Sequence, residues 1–149
     1  MEITQQTPDE PERIAYFDFD ELEAQGKPPL EIARLAMREM IEPLIQDPKR
    51  RIDTLLGFGE AAMDVLKHGD RSFKRTIEVY REAGGIAVRT FDRLDPTTLT
   101  ENGFGSLLRM QIFGEDCKEV QEPDGTYRGY LFIRADEAVQ QRQVADRAA

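Results

Sequence analysis

Glu12-Arg13-Ile14-Ala15-Tyr16-Phe17-Asp18-Phe19-Asp20-Glu21-Leu22-Glu23 interleaves three aromatic rings with a run of carboxylates. From Ile14 to Phe19 the pattern is that of a short strand. Ala15, Phe17 and Phe19 point one way, and Ile14, Tyr16, Asp18 and Asp20 the other. Residues 1–24 carry eight acidic side chains against Arg13 alone, a net of −7, while the whole 149-residue chain stands at −9. The acidity therefore belongs to one segment. Residues 1–24 are expected as an acidic aromatic arm, residues 25–135 as a single α+β domain, and residues 136–149 as a C-terminal helix or tail.

Outward from the arm, Gly26, Pro28 and Pro29 break the chain and the period becomes helical from Leu30. Ala33, Met37, Met40, Ile41 and Leu44 fall on one stripe, and Pro43 predicts an end or kink near Glu42. Asp47-Pro48 reads as an N-cap followed by proline in the first turn. The helix it opens turns Ile52, Leu55, Leu56, Ala62, Met63 and Leu66 inward. Gly57 and Gly59 weaken its middle or let another backbone approach. Gly69 suits a C-cap and Asp70 an N-cap, which predicts a third helix burying Phe73, Ile77 and Tyr80 and ending at Gly84-Gly85.

The second half reads as strands. Ile86–Phe91 and Leu107–Phe113 are expected in a sheet, and Lys118–Glu122 and Thr126–Arg134 flank the hairpin signal Pro123-Asp124-Gly125. Asp136 is placed to cap a last helix of weak apolar face. The expected fold is three N-terminal helices packed on one face of a small, mainly antiparallel sheet of three or four strands.

With 40% hydrophobic and 33% charged residues, the composition suits a compact domain with polar ends. No apolar run approaches the ~20 residues of a membrane span. The acidic start is unlike a basic targeting segment, and the single Cys117 fits a reducing compartment, so a cytoplasmic location is expected. A pI near 4.7 argues against binding nucleic acid, though not against imitating it with carboxylates. One histidine, His68, excludes multi-histidine metal chemistry. No cofactor is expected: Gly57-Phe58-Gly59 and Gly103-Phe104-Gly105 do not continue into a phosphate-binding loop.

Asp18-Phe19-Asp20 resembles the Asp-x-Asp of haloacid-dehalogenase-type phosphotransferases, which implies a Mg²⁺-dependent small enzyme using Asp18 and Asp20. The resemblance covers three residues, Leu22 stands where that family has Thr or Val, and the parallel βαβ units of such enzymes are missing from the expected fold. Cys117 and His68 as nucleophile and base rest on each being the sole residue of its kind. Neither pairing outweighs the charge layout. Lys49, Arg50, Arg51, Lys67, Arg71, Lys74 and Arg75 give residues 49–75 seven bases against four acids, a net of +3, opposite in sign to the arm. The arm can cover that basic face in cis, or reach a basic partner in trans.

The sequence thus points to a non-catalytic protein–protein interaction module: an adaptor, inhibitor or assembly component. Tyr16, Phe17, Asp18, Phe19, Asp20, Glu21 and Glu23 would contact a protein partner or a second copy of the chain. The alternatives are the Mg²⁺ enzyme and a nucleic-acid binder acting through residues 49–75.

Overall fold

A computed structural model describes residues 11–68, 74–92, 111–121, 123 and 127–148. The opening stretch forms strand β1 (Glu12–Asp18), and Asp18 at once caps the short helix α1 (Phe19–Ala24). Its carboxylate accepts the Glu21 N–H at 3.1 Å, an N-cap contact that typically contributes ~1 kcal/mol. Helix α2 (Pro29–Ile41) closes at Glu42, as Pro43 predicts, and α3 (Pro48–His68) starts where Asp47-Pro48 places it. There the Asp47 carboxylate accepts the Lys49 N–H.

Strands β2 (Thr76–Glu82) and β3 (Gly85–Asp92) follow. A 3-10 turn (Gly114–Asp116), β4 (Cys117–Gln121), β5 (Tyr127–Arg134) and α4 (Glu137–Ala148) complete the described elements. The five strands lie in the order β1-β2-β3-β5-β4, with every neighbouring pair antiparallel. The α+β class and the antiparallel pairing of β4 with β5 are as expected. Residues 122 and 124–126 of the expected turn lie outside the described residues, and the sheet holds five strands rather than three or four.

The added strand comes from a correction. Thr76–Glu82, expected within a third long helix, is β2. Phe73, Ile77 and Tyr80 match a helical spacing, yet Thr76, Ile77 and Val79 are β-branched and pack well on a pleated surface. Ile77 and Val79 point to the core, with ladders to β1 and β3 on either side. Gly84, at φ +87°, belongs to the two-residue turn joining Glu82 to Gly85, not to a helix end. Three helices still precede β2, because the six-residue α1 takes the place of the expected third. Residues 111–113, expected at the end of a strand, are helical. The expected caps Gly69 and Asp70 and the strand residues 107–110 lie outside the described residues.

One core joins the inner face of the sheet to the helices. Phe17, Ile77, Val79, Ile86, Val88, Leu131 and Ile133 meet Ala33, Met37 and Ile41 of α2, Phe58, Ala62 and Val65 of α3, and Val139 of α4. Each fully buried Val, Leu, Ile, Phe or Met contributes about 1.5–3 kcal/mol. Gly57 and Gly59 make room for side chains, not for a backbone. A Cβ at Gly57 would collide with the Phe113 ring, and one at Gly59 would stand 2.8 Å from the Arg34 guanidinium. Asp136 does more than precede α4: its carboxylate accepts the Gln46 N–H at 2.8 Å and pairs with Arg50, tying the α2–α3 connection to the end of the sheet.

Candidate functional site

The residues expected to greet a partner divide between core and surface. Phe17 is 8% exposed and Phe19 0%. Their side of the strand is the side that meets the helices, so these two rings anchor the fold and are not presented outward. Tyr16, on the opposite side, is 41% exposed. Asp18 is the cap of α1, and Glu21 is exposed, accepting only a long 3.4 Å bond from Gln25.

Asp20 and Glu23 close over a buried cation. Arg75 is 0% exposed. Its Nε and Nη2 donate to Asp20 Oδ1 at 3.0 and 2.7 Å, its backbone N–H reaches Asp20 Oδ2 at 3.3 Å, and Nη1 donates to the Leu66 carbonyl at 2.6 Å. Glu23 stands 3.2 Å from Nη2, and the Phe19 N–H donates to the Arg75 carbonyl. A guanidinium taken out of water needs such partners on most of its donors. Opposite charges of the N-terminal stretch and the 49–75 region therefore meet within the chain, among the described residues at this point, as a clamp joining α1, α3 and the entry to β2.

The remaining basic residues form no single face. Lys49, Arg50 and Arg51 sit in the first turn of α3 and Lys67 at its far end, about 24–27 Å apart at 1.5 Å per residue. Arg50 pairs with Asp136 and donates to the Arg134 carbonyl, while Arg51 donates to the Gln46 carbonyl. Lys49, Lys67 and Lys74 are exposed, and Arg71 lies outside the described residues. Asp18 and Asp20 act as cap and clamp in an antiparallel sheet, not as the paired carboxylates at the end of a parallel strand that the dehalogenase-type resemblance implies. Among the described residues no three His, Cys, Asp or Glu side chains converge on a cation site.

A second cluster of polar and aromatic side chains lies on the outer face of the sheet, opposite the core. Alternation places Glu78, Tyr80 and Glu82 of β2 there because Ile77 and Val79 point inward. In register, Tyr16, Glu78, Arg89, Tyr130 and Lys118 form one row across all five strands. Arg13, Tyr80, Ala87 and Phe132 form the next row. The side chains knit together along and between these rows. The Arg13 guanidinium lies 4.8 Å from the centre of the Tyr16 ring and the Arg89 guanidinium 4.5 Å from that of Tyr80, both cation–π distances. Arg13 also reaches Glu78 at 3.4 Å. The Tyr80 hydroxyl donates to Glu78, and the Tyr130 hydroxyl donates to Glu82 at 3.2 Å.

Both phenols hold their protons more tightly than usual. The hydrogen bond to Glu78 and then burial raise Tyr80, whereas burial and then the Glu82 charge raise Tyr130. Both remain neutral donors across the physiological range. On this face Arg13, Tyr16 and Lys118 are exposed, Glu78, Tyr80, Arg89, Tyr130 and Phe132 half-buried, and Ala87 buried. Of its members, the sequence reading singled out Tyr16 alone. The signal for the others was the polar and aromatic residues alternating with Ile77, Val79, Leu131 and Ile133, and it was hidden where Thr76–Glu82 was read as helix.

No protein-family model and no curated protein matches the chain. Its fold is similar to that of a solved structure, the crystal structure of the SiaB–SiaC complex from Pseudomonas aeruginosa, at 15% sequence identity and a TM-score of 0.53. The match covers 81% of this chain and 91% of the matched one. At that identity the likeness is one of fold: an α+β domain with an antiparallel sheet. Among the described residues no helix is long and apolar enough to cross a membrane.

Proposed function

We propose that this chain is a non-catalytic protein-interaction module, an adaptor, inhibitor or assembly component, whose partner seats on the outer face of the sheet beside β1. The observation that carries the proposal is the pair of side-chain rows on that face, where tyrosines and arginines stack on one another and Arg13, Tyr16 and Lys118 are exposed. Tyr and Arg are the residues that most often dominate interface energies, because each offers a large, stiff surface with polar ends. The charges of the face are largely answered within it by Glu78 and Glu82, which suits a protein surface better than a phosphate backbone. The acidic N-terminal stretch enters this reading through Glu12, Tyr16 and Glu21, which are exposed on or next to β1. Among the described residues that strand ends the sheet with one edge unpaired, and a partner strand can extend such an edge. The fold neighbour, itself solved as a complex of two proteins, agrees with a partner-binding role. The lone cysteine fits a cytoplasmic setting.

The test compares native chain, Arg13→Ala/Tyr16→Ala and a helix-face control, Glu60→Gln, as baits in quantitative co-purification, with melting temperatures confirming that all three are folded. A partner, or a second copy detected by sedimentation, should be held by the native chain and the control and lost from the sheet-face variant. Loss of two interface anchors weakens binding at least tenfold when each contributes the ~1–2 kcal/mol common at such positions. Equal retention by all three baits would remove the sheet face from the account.

A further inference from the structure

On the far side of α3 from α2, an open cleft of about 430 Å³ lies between the first turns of α3, the segment 111–116 and the end of β5. It forms because β4 begins opposite Leu131, leaving residues 132–134 of β5 without a strand neighbour on that side among the described residues. The volume is that of a small-ligand site. Two arginines line it, and both are already engaged. Arg134 donates through Nε and Nη2 to the two oxygens of Asp116, at 2.6 and 2.9 Å. Arg50 has one terminal nitrogen on Asp136 and the other on the Arg134 carbonyl, at 2.9 Å. The Thr54 hydroxyl donates to the Arg50 carbonyl.

What remains is Asp53. Half-buried in the cleft wall, it enters no hydrogen bond or ion pair among the described residues. Two guanidiniums against the carboxylates of Asp53, Asp116 and Asp136 leave one negative charge without an answer, and it is this one. One helical turn along the same side of α3 is Gly57, whose missing side chain lets the Phe113 ring lie against the helix. An unpaired aspartate and an aromatic ring thus stand one helical turn apart along the same side of α3.

We propose that this cleft binds a primary ammonium carried on a short apolar or aromatic body, with the ammonium on Asp53 and the body along Phe113. The aromatic ring reinforces the choice of sign, since its face attracts cations. The cleft borders the sheet face at Phe132, but the ammonium site at Asp53 lies on α3 and stands whether or not that face binds a partner.

The test is a titration of the full chain with phenethylammonium, followed by amide chemical shifts. Saturable binding in the millimolar range is expected, with the largest shifts at Asp53, Thr54, Gly57, Phe113 and Phe132. Asp53→Asn should weaken it at least tenfold, and Glu60→Gln, on the same helix but outside the cleft, should leave it unchanged. Acetyl-lysine methylamide separates the two sources of such a group. Tighter binding than phenethylammonium assigns the cleft to a lysine of a partner protein, and weaker binding assigns it to a free amine. Shifts centred elsewhere, undiminished binding by Asp53→Asn, or tighter binding of phenylacetate would each overturn the proposal, the last by showing that the guanidiniums own the cleft.

Discussion

Asp20→Ala should destabilise the fold although the Asp20 side chain is 38% exposed. The substitution removes all three hydrogen bonds that the carboxylate accepts from Arg75, while Arg75 stays buried. Deleting one partner of a buried ion pair typically costs ~3–5 kcal/mol, because the remaining charge is left desolvated. Two features lower that figure here: the carboxylate is partly solvated, and Glu23 still stands 3.2 Å from Nη2. An estimate of about 3 kcal/mol follows, equivalent to a fall in melting temperature of about 6–12 °C for a domain of this size. Urea unfolding at neutral pH, monitored by circular dichroism, measures it directly. The double variant Asp20→Ala/Arg75→Met supplies the control, since it also removes the stranded charge. It should be less destabilised than the sum of the single variants by more than about 1 kcal/mol, the size of coupling found between contacting residues. A loss below about 1 kcal/mol for Asp20→Ala, or strict additivity in the cycle, would refute the clamp and return Asp20 to the exposed role its sequence context suggested.

Phe19→Ala should cost about 3–5 kcal/mol, the range for a fully buried phenylalanine, whereas Tyr16→Ala three residues earlier should cost under about 1 kcal/mol. Comparable losses at the two sites would contradict the assignment of opposite faces. The Asp116 carboxyl is held below its ordinary 3.8 by the hydrogen bond from Arg134, and a lowered value means that its contribution to stability is present above the ordinary pH of titration and is lost as the pH falls through the lowered one. Arg134→Ala should move the carbon-13 titration midpoint of Asp116 upward, and an unmoved midpoint would show that the pair does not persist in solution.

Much of the fold is legible in local pattern. Pro43 ends α2, Asp47-Pro48 starts α3, and the alternation of Ile86–Phe91 and Thr126–Arg134 marks two central strands, because each signal acts through the backbone of its own few residues. Thr76–Glu82 reads as helix in the sequence because a short stretch fits both periods, and its β-branched residues outweigh the helical spacing only when strands stand on either side. The candidate site was harder to see. Tyr16 was found from its neighbours in sequence, while Arg13, Glu78, Tyr80, Arg89 and Tyr130 come together only through strand register.

The sequence by itself determined where the charge and the rings lie, where α2 ends and α3 starts, and that the chain is an α+β domain, since these depend on composition and short-range stereochemistry. Only the tertiary structure decided which face each ring takes. It buries Phe17 and Phe19 and presents Tyr16, and it turns Asp20 and Arg75, 55 positions apart, from two surface charges into one clamp. The reason is that burial and pairing are set by what the rest of the chain brings alongside. A residue's neighbours in sequence fix its direction along a strand, but not what covers it.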